Sequence, residues 1–197
     1  MTNGIKDVKM TRIAVAAIVS AVSAGCLTSS TPERTDWNVE CSGTALRVAV
    51  KPKFGIARLS LVEMRAPYAV REIAVMRANG STAFDECNTY AASPVQLMKG
   101  VAFDSLSKSG LFPAVVGAGS SVDHDVDVEV AVTRLALDCR EEGARNAVAA
   151  VSVRLVQSHG IVAYAEGYGS ADASKPDYSA AFSAAATAAF SDALNRL

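Results

Sequence analysis

The residues with the greatest potential for chemistry in this chain lie between positions 123 and 129. Asp123, Asp125, Asp127 and Glu129 occupy alternate positions, and His124 lies among them. On a strand, this spacing puts the four carboxylates on one face. However, calcium loops need a curved loop that contains a glycine, and zinc sites need more imidazole or thiolate ligands. The pattern therefore predicts an exposed polar strand face rather than a metal centre.

Residues for nucleophilic catalysis are scarce. A Ser-His-Asp triad would have to use His124 or His159, the only histidines, and His159 lies in a predicted turn, Ser158-His159-Gly160. No GxSxG elbow is present, and no segment indicates paired carboxylates for glycoside hydrolysis. The GxG at 117–119 precedes a predicted strand, whereas a phosphate or dinucleotide site needs a helix there. The sequence thus predicts a protein that is not an enzyme and has no cofactor.

The residue whose chemistry is best defined by its context is Cys26. It follows a basic segment (6–12), an apolar run (13–22) and Ala24-Gly25. This order is typical of a secretion signal, and the small pair before a cysteine resembles the lipobox of bacterial lipoproteins, whose cysteine receives a diacylglycerol group before cleavage. We therefore predict that residues 1–25 are a lipoprotein signal peptide and that Cys26 carries the lipid.

The same leader leaves alternatives open. Ser23 stands where lipoboxes usually have Leu, and Val22-Ser23-Ala24 has the small-x-small form of an ordinary signal-peptidase site, which would leave Gly25 as the N terminus. A transmembrane anchor is a third interpretation, although the apolar run is shorter than the roughly 20 residues that a spanning helix needs. Met10 is an alternative start to Met1, because the segment that begins there has the proportions of a complete signal.

Length and charge restrict the remaining chain further. From Cys26 onwards it has 172 residues and a formal charge of −3, because the leader carries three cations and one anion. This length suits one domain with a tether. The absence of a basic stripe and the small number of aromatic residues argue against nucleic-acid binding. After the leader, no apolar run approaches membrane-spanning length.

Three cysteines remain if Cys26 is lipidated: Cys41, Cys87 and Cys139. Compartments outside the cytoplasm favour disulfides. Three thiols allow one bridge with one thiol left over, and the sequence does not choose among the three pairings. The alternative is that all three are reduced and partly buried. No CxxC spacing for redox or zinc chemistry occurs.

The polar segment over 26–45 contains Pro32 and lacks the periodicity of a helix or strand. It is predicted to be the lipidated N terminus and a flexible tether. A single folded domain is then predicted over 46–197. Leu27, rather than Asp, follows the cysteine, which favours retention at the outer membrane over the inner membrane.

Apolar alternation predicts most of the folded elements. Asn79-Gly80 predicts a hairpin turn, and a change of parity after Thr133 predicts a β-bulge. One helix is predicted to begin after Ser93 as a capping residue and to end at Gly110, and an alanine-rich second helix covers 178–197. The predicted strands are 46–52, 57–64, 71–78, 81–90, 111–116, 123–139, 147–157 and 161–168.

Three segments carry a resemblance to a known family. They are REIAVMR (71–77), the step Tyr90-Ala91-Ala92-Ser93-Pro94 and LSKSGLFPAVV (106–116). With the leader and the order of elements, they resemble the ABC-type transport auxiliary lipoprotein family, which contains the paraquat-inducible protein C lipoproteins. The family usually has Trp at the position of Tyr90, and the cysteines of this domain are not a family pattern.

The resemblance implies both a fold and a function. The fold would be a small α+β domain with two helices on one face of a largely antiparallel sheet. The protein would be an outer-membrane lipoprotein on the periplasmic side that acts with an ABC transporter and a periplasmic protein of the mammalian-cell-entry (MCE) type in lipid transport. A homo-oligomer is a further expectation. The acidic strand face and the last helix are candidate contact surfaces.

Two other functions remain open from the sequence. One is a scaffold or activator lipoprotein for envelope assembly, such as a partner of a cell-wall synthase or of lipopolysaccharide export. The other is a periplasmic lipid-binding or lipid-hydrolysing protein. The first would share the anchor, the tether and a small α+β domain with our preferred interpretation.

Overall fold

The structure, a computed structural model, describes residues 33–42, 46, 49, 51–158, 160–175 and 177–197. Arg34 to Leu197 form one compact unit. Cys26, His159 and residues 47, 48 and 50 lie outside the described residues. The strand predicted over 46–52 is wrong for its described residues, because Leu46, Ala49, Lys51 and Pro52 do not belong to a strand. Within the described part of the chain, no helix has the length and apolar character needed to cross a membrane.

The described residues form eight strands and two helices, which confirms the predicted α+β class. All the elements belong to a single sheet and the helices that cover it. In chain order they are β1 (Thr35–Trp37), β2 (Ala57–Met64), β3 (Glu72–Arg77), β4 (Thr82–Tyr90), α1 (Pro94–Lys108), β5 (Val115–Gly117), β6 (Val126–Cys139), β7 (Asn146–Gln157), β8 (Gly160–Asp172) and α2 (Tyr178–Asn195).

The sheet is organised around the long strand β6. One edge of β6 pairs antiparallel with β7, which pairs antiparallel with β8. The other edge pairs in parallel with β2 along its first half and with β3 at its end. β5 extends the sheet beyond β2, and β4 and β1 extend it beyond β3. The longest ladders are antiparallel, as expected, but the parallel pairing of β6 with two strands was not predicted.

The predicted β-bulge is confirmed in the middle of β6. The register with β7 shifts between Val132 and Arg134. Val132 and Leu135 are both completely buried on its two sides. An extra residue at this point shifts the alternation of side chains between the two faces by one residue in the second half of the strand. The bulge therefore keeps both apolar sets of β6 in the core.

Both predicted helices are present. Pro94 opens α1 after Ser93, but the Ser93 hydroxyl makes no capping hydrogen bond, contrary to the expectation. Gly110, with φ of 75°, lies just after the C-terminal end of α1, as predicted. At α2, the Asp177 carboxylate accepts a hydrogen bond from the backbone N–H of Ala180 at 3.1 Å, as expected of an N-cap.

The alanine face of α2 packs directly on the sheet. Its buried residues include Ala185, Ala189 and Ala193. They lie against Gly167 and Gly169 of β8, where a Cβ atom would come within 2.0 Å of a helix carbonyl oxygen. The last helix was a candidate contact surface from the sequence, and in the structure its alanine face meets the sheet.

The predicted strand over 111–116 is shorter than expected. Only its last two residues belong to β5, which continues to Gly117. Leu111 and Phe112 are buried in the core without strand pairing. Instead, the carbonyl of Leu111 accepts hydrogen bonds from the backbone N–H groups of Lys53 and Phe54 at 3.0 and 3.1 Å. Pro113 has no N–H to contribute to a ladder, which explains the interruption.

The folded domain begins before the predicted boundary at Leu46. β1 pairs with β4. Residues 38–42, which we call the strap, then run alongside α2. Val39 is 3% exposed and belongs to the core. The backbone N–H groups of Asn38, Glu40 and Ser42 each donate a 2.9 Å hydrogen bond to α2, to the hydroxyls of Ser179, Ser183 and Thr187 respectively. This part of the predicted tether is therefore a structural part of the domain.

Candidate functional site

The face of the sheet opposite the helices carries charged side chains and the exposed rings of Tyr164 and Tyr168. Because side chains alternate along a strand, the residues between the buried valines of β6 and β7 point to this face. They line a groove of about 680 Å³ that crosses β2, β6, β7 and β8 and extends to the C-terminal end of α2, which we call the open-face groove. Its charged and aromatic lining residues are Glu63, Arg65, Arg154, Tyr164, Glu166, Tyr168, Asp192 and Arg196.

The predicted acidic row lies at one end of this face, and its centre is an ion pair. Arg58 donates from Nε and Nη2 to the two carboxylate oxygens of Asp127, at 2.7 and 3.0 Å. His124 Nε2 lies 3.6 Å from the same carboxylate. The hydrogen bonds from Arg58 lower the pKa of Asp127, and His124 adds to this effect. The negative charge of Asp127 is thus already matched within the protein.

The other acids of the row also have partners or lie outside the strand. β6 begins at Val126, so Asp123 and Asp125 precede it. The Asp125 carboxylate accepts a 2.7 Å hydrogen bond from the backbone N–H of Ile56, and Glu129 lies 3.6 Å from Arg154. In the part of the chain that the structure describes, no group of three His, Cys, Asp or Glu residues is arranged to hold a metal. Asp125, Asp127 and Glu129 are thus each engaged by a neighbouring group, and Asp123 lies outside the strand.

Two tyrosines and an acid on β8 form the outer side of the groove. Tyr164 and Tyr168 are 51% and 49% exposed. The Tyr164 hydroxyl donates to the Glu166 carboxylate, which raises the pKa of Tyr164. The backbone N–H of Tyr168 donates to Asp192 at 3.1 Å. This bond, together with Arg196, lowers the pKa of Asp192.

The arrangement suits contact with a polar partner. Arg154 pairs with Glu129 and Arg196 with Asp192. The exposed rings of Tyr164 and Tyr168 line the same groove. Among the described residues, no hydrogen bond joins His124 to a serine or a cysteine, so the arrangement that a nucleophilic triad needs is not formed by them. Paired charges and tyrosines are common at protein interfaces, where rings supply area and charges set the orientation of the partner.

The predicted cysteines are separated in the structure. Cys41 lies in the strap with its Sγ 3.8 Å from the Oγ of Ser105. Cys87 lies on β4, and Cys139 is the last residue of β6. All three are half-buried free thiols. Cys26, the predicted lipid-attachment residue, lies outside the described residues.

Sequence reasoning missed the partners of the acidic row and the residues that hold the strap. Arg58 lies on β2, far from Asp127 in the sequence, and no local pattern connects them. The strap did carry a signal, because Ser179, Ser183 and Thr187 recur every four residues and therefore share one face of a helix.

Two examples illustrate the solved structures that share this fold. One is the crystal structure of a protein from Xanthomonas campestris assigned to the DUF330 family, with a TM-score of 0.54 and 17% identity over 83% of this chain and 87% of that chain. The other is described only as an uncharacterized protein, with a TM-score of 0.58 and 13% identity over 82% of this chain and 96% of that chain. At this identity the likeness concerns the fold alone. No protein-family model and no curated protein sequence match the chain.

Proposed function

We propose that this protein is a non-enzymatic, lipid-anchored outer-membrane component of a lipid transport system that contains an ABC transporter and a periplasmic MCE-type protein. The observation that carries the proposal is Ala24-Gly25-Cys26, placed after an apolar signal and shortly before a folded α+β domain. A lipid on Cys26 would hold that domain at the membrane surface. The domain would dock onto the end of the periplasmic component.

The short connection between lipid and fold supports this role. Nine backbone steps separate Cys26 from Thr35, where β1 begins. An extended chain advances at most about 3.6 Å per residue, so this connection reaches about 32 Å. The proposed anchor would therefore keep the domain close to the bilayer, where a component that receives lipid from a periplasmic partner must work.

The three segments that carry the family resemblance support the proposal through the fold. REIAVMR contains β3, which lies between β4 and β6 in the sheet and pairs with both. Tyr90 is buried against Phe182 of α2, with ring centroids 5.5 Å apart. In the third segment, Leu106 and Leu111 are buried in the core. These residues define the architecture rather than chemistry, which fits a docking domain.

The open-face groove is the surface that we assign to the periplasmic partner. The alanine face of α2, the other candidate, is occupied by Gly167 and Gly169. By contrast, Tyr164 and Tyr168 are half exposed and lie beside paired charges. A partner that covers this face would bury both rings and meet arginines and carboxylates at defined positions.

Affinity capture from the cell envelope tests the proposal. The wild-type chain should recover an MCE-type protein, and a Cys26→Ser control should recover less of it because the domain loses its anchor. Labelling with a clickable fatty acid should mark the wild type and not the control. Recovery of a cell-wall synthase in place of an MCE-type protein would instead support envelope assembly, and an unlabelled mature chain that begins at Gly25 would contradict the anchor.

A further inference from the structure

A second cavity lies where the chain enters the domain. Its volume is about 410 Å³. One wall is the pair Trp37 and Tyr178, whose ring centroids are 5.3 Å apart. Trp37 is fixed because its Nε1 donates a 2.9 Å hydrogen bond to Oδ1 of Asn88. We call this cavity the aromatic–basic pocket, and its lining includes Thr35, Trp37, Asn88, Arg145, Lys175 and Tyr178.

The charges in the pocket are unbalanced. Its lining residues include two cations and no carboxylate. Arg145 is positioned by its Nη1, which donates to the Tyr178 hydroxyl at 2.7 Å. Its loop is joined to that of Lys175, because the backbone N–H of Ala173 donates to the Arg145 carbonyl at 2.8 Å. Neither cation has a carboxylate of the described residues within 4.0 Å, so both are available to an anion.

The nearby acids are directed elsewhere. Asp36 of β1 accepts a hydrogen bond from Arg71 at 3.3 Å and another from Thr89. Asp177 caps α2 through the backbone N–H of Ala180. Asp172 interacts with Lys175 only at longer range and accepts hydrogen bonds from Ser174. The chemistry that complements the pocket is therefore a phosphate or a similar oxyanion beside an apolar surface.

The position of the pocket identifies the source of that anion. Thr35 lies on its rim and is also the first residue of β1. If Cys26 is lipidated, this rim lies within about 32 Å of the bilayer surface. The phosphates of phospholipids are then the most concentrated anions within reach. Tryptophan and tyrosine are also the side chains that favour the interface between membrane and water.

We propose that the aromatic–basic pocket binds the phosphate of a phospholipid headgroup, with Arg145 and Lys175 on the phosphate and Trp37 and Tyr178 against the glycerol and upper acyl carbons. This inference rests on the proposed membrane anchoring. The lipid on Cys26 holds the domain near the bilayer, and the pocket fixes its orientation there. The open-face groove is lined by a different set of residues and remains available to a protein partner.

Binding to vesicles tests this proposal with the mature chain carrying Cys26→Ser, which has no lipid anchor. Trp37 is the only tryptophan, so its fluorescence reports the pocket directly. With vesicles of phosphatidylglycerol and phosphatidylcholine, we expect the Trp37 emission to shift to shorter wavelength. The double variant Arg145→Gln with Lys175→Gln should weaken vesicle binding about tenfold or more, since each cation near an anionic surface contributes substantially.

A matched control removes the same charge elsewhere. Lys99→Gln with Lys108→Gln on α1 should weaken binding less than about threefold, because only the general attraction changes. An equal loss in both double variants would overturn the proposal, as would the absence of vesicle binding by the parent chain. If Arg145→Gln impairs folding, Lys175→Gln alone must still weaken binding, since that side chain is exposed. Arg145→Lys, which keeps the charge, should retain most of the affinity.

Further experiments distinguish a lipid headgroup from a free phosphate as the ligand. They also distinguish failure of this proposal from failure of the proposed function. Inorganic phosphate and glycerol 3-phosphate should displace the chain from vesicles only at millimolar concentration. Tighter binding of either than of vesicles would overturn the lipid assignment. Fatty-acid labelling of Cys26 is independent of these variants. A labelled protein without pocket-dependent vesicle binding defeats this inference alone, whereas an unlabelled protein that retains such binding defeats the proposed function alone.

Discussion

The close contact between α2 and β8 predicts that Gly167→Ala is strongly destabilising. A Cβ at Gly167 would lie 2.0 Å from the carbonyl oxygen of Ala189 and 2.5 Å from the backbone nitrogen of Ala193. Real Cβ atoms essentially never approach such atoms within 3.0 Å. Both atoms belong to the helix backbone and cannot rotate away. The helix must therefore retreat by about 1 Å, the difference between these distances.

The size of the destabilisation depends on the contacts between α2 and the sheet that this retreat weakens. Phe182 and Phe190 of α2 are completely buried and would lose part of their contact with the sheet. A gap of about 0.5–1 Å already removes a quarter to a half of a dispersion contact, and overpacking typically costs about 1–3 kcal/mol. We expect a loss of about 3 kcal/mol in the free energy of unfolding. For a domain of this size, that corresponds to a fall of about 6–12 °C in Tm.

Urea unfolding followed by circular dichroism measures this loss, and Gly117→Ala is the matched control. Gly117 also lies in a strand, β5, but nothing lies within 4 Å of the Cβ that the substitution adds there. The control should be unchanged or slightly more stable, by up to about 1 kcal/mol, since alanine restricts the unfolded chain. Stabilities of Gly167→Ala and Gly117→Ala that agree within about 0.5 kcal/mol would refute the reasoning.

Three further predictions follow from buried or paired groups. Tyr90→Phe should raise the free energy of unfolding by about 1 kcal/mol, because the buried Tyr90 hydroxyl has no hydrogen-bond partner among the described residues; a loss in urea unfolding would contradict this. A chain starting at Leu46 should be roughly 3 kcal/mol less stable than one starting at Glu33, because it lacks β1 and the buried strap; equal unfolding midpoints would contradict this. Arg58 lowers the pKa of Asp127, so its stabilisation is present above the unfolded value of about 3.9 and lost as pH falls through the folded pKa. The stability difference between wild type and Asp127→Asn should therefore shrink as the pH falls below about 5, and a constant difference would exclude this effect.

The sequence was most informative where one strand or helix contains the whole signal. The parity change after Thr133 is sufficient to place the bulge, because burial of both halves of β6 requires it. Asn79-Gly80 likewise identifies the β3–β4 hairpin, in which Gly80 has φ of 80°. These features depend on neighbouring residues, so they can be predicted without knowledge of the fold.

Pairing between distant segments could not be predicted in this way. A strand buried on one face shows the same alternation whether its neighbour is parallel or antiparallel, so β2 and β3 gave no sign that both pair in parallel with β6. The strap was missed for a different reason. Trp37, Val39 and Cys41 do alternate, but over five residues within a polar segment, a pattern too short to distinguish from chance.

The early start of the fold changes what the proposed anchor can do. A flexible tether from Cys26 to residue 45 would let the domain move within about 70 Å of its lipid, and such a tether would impose no orientation. The connection from Cys26 to β1 reaches only about 32 Å, and it joins the domain beside the aromatic–basic pocket. A headgroup contact at that pocket then acts at a high effective concentration, so even a weak contact can orient the domain. Lengthening the connection should therefore weaken capture of the periplasmic partner even when Cys26 remains lipidated, because the anchor would still confine the domain but no longer favour the pocket contact.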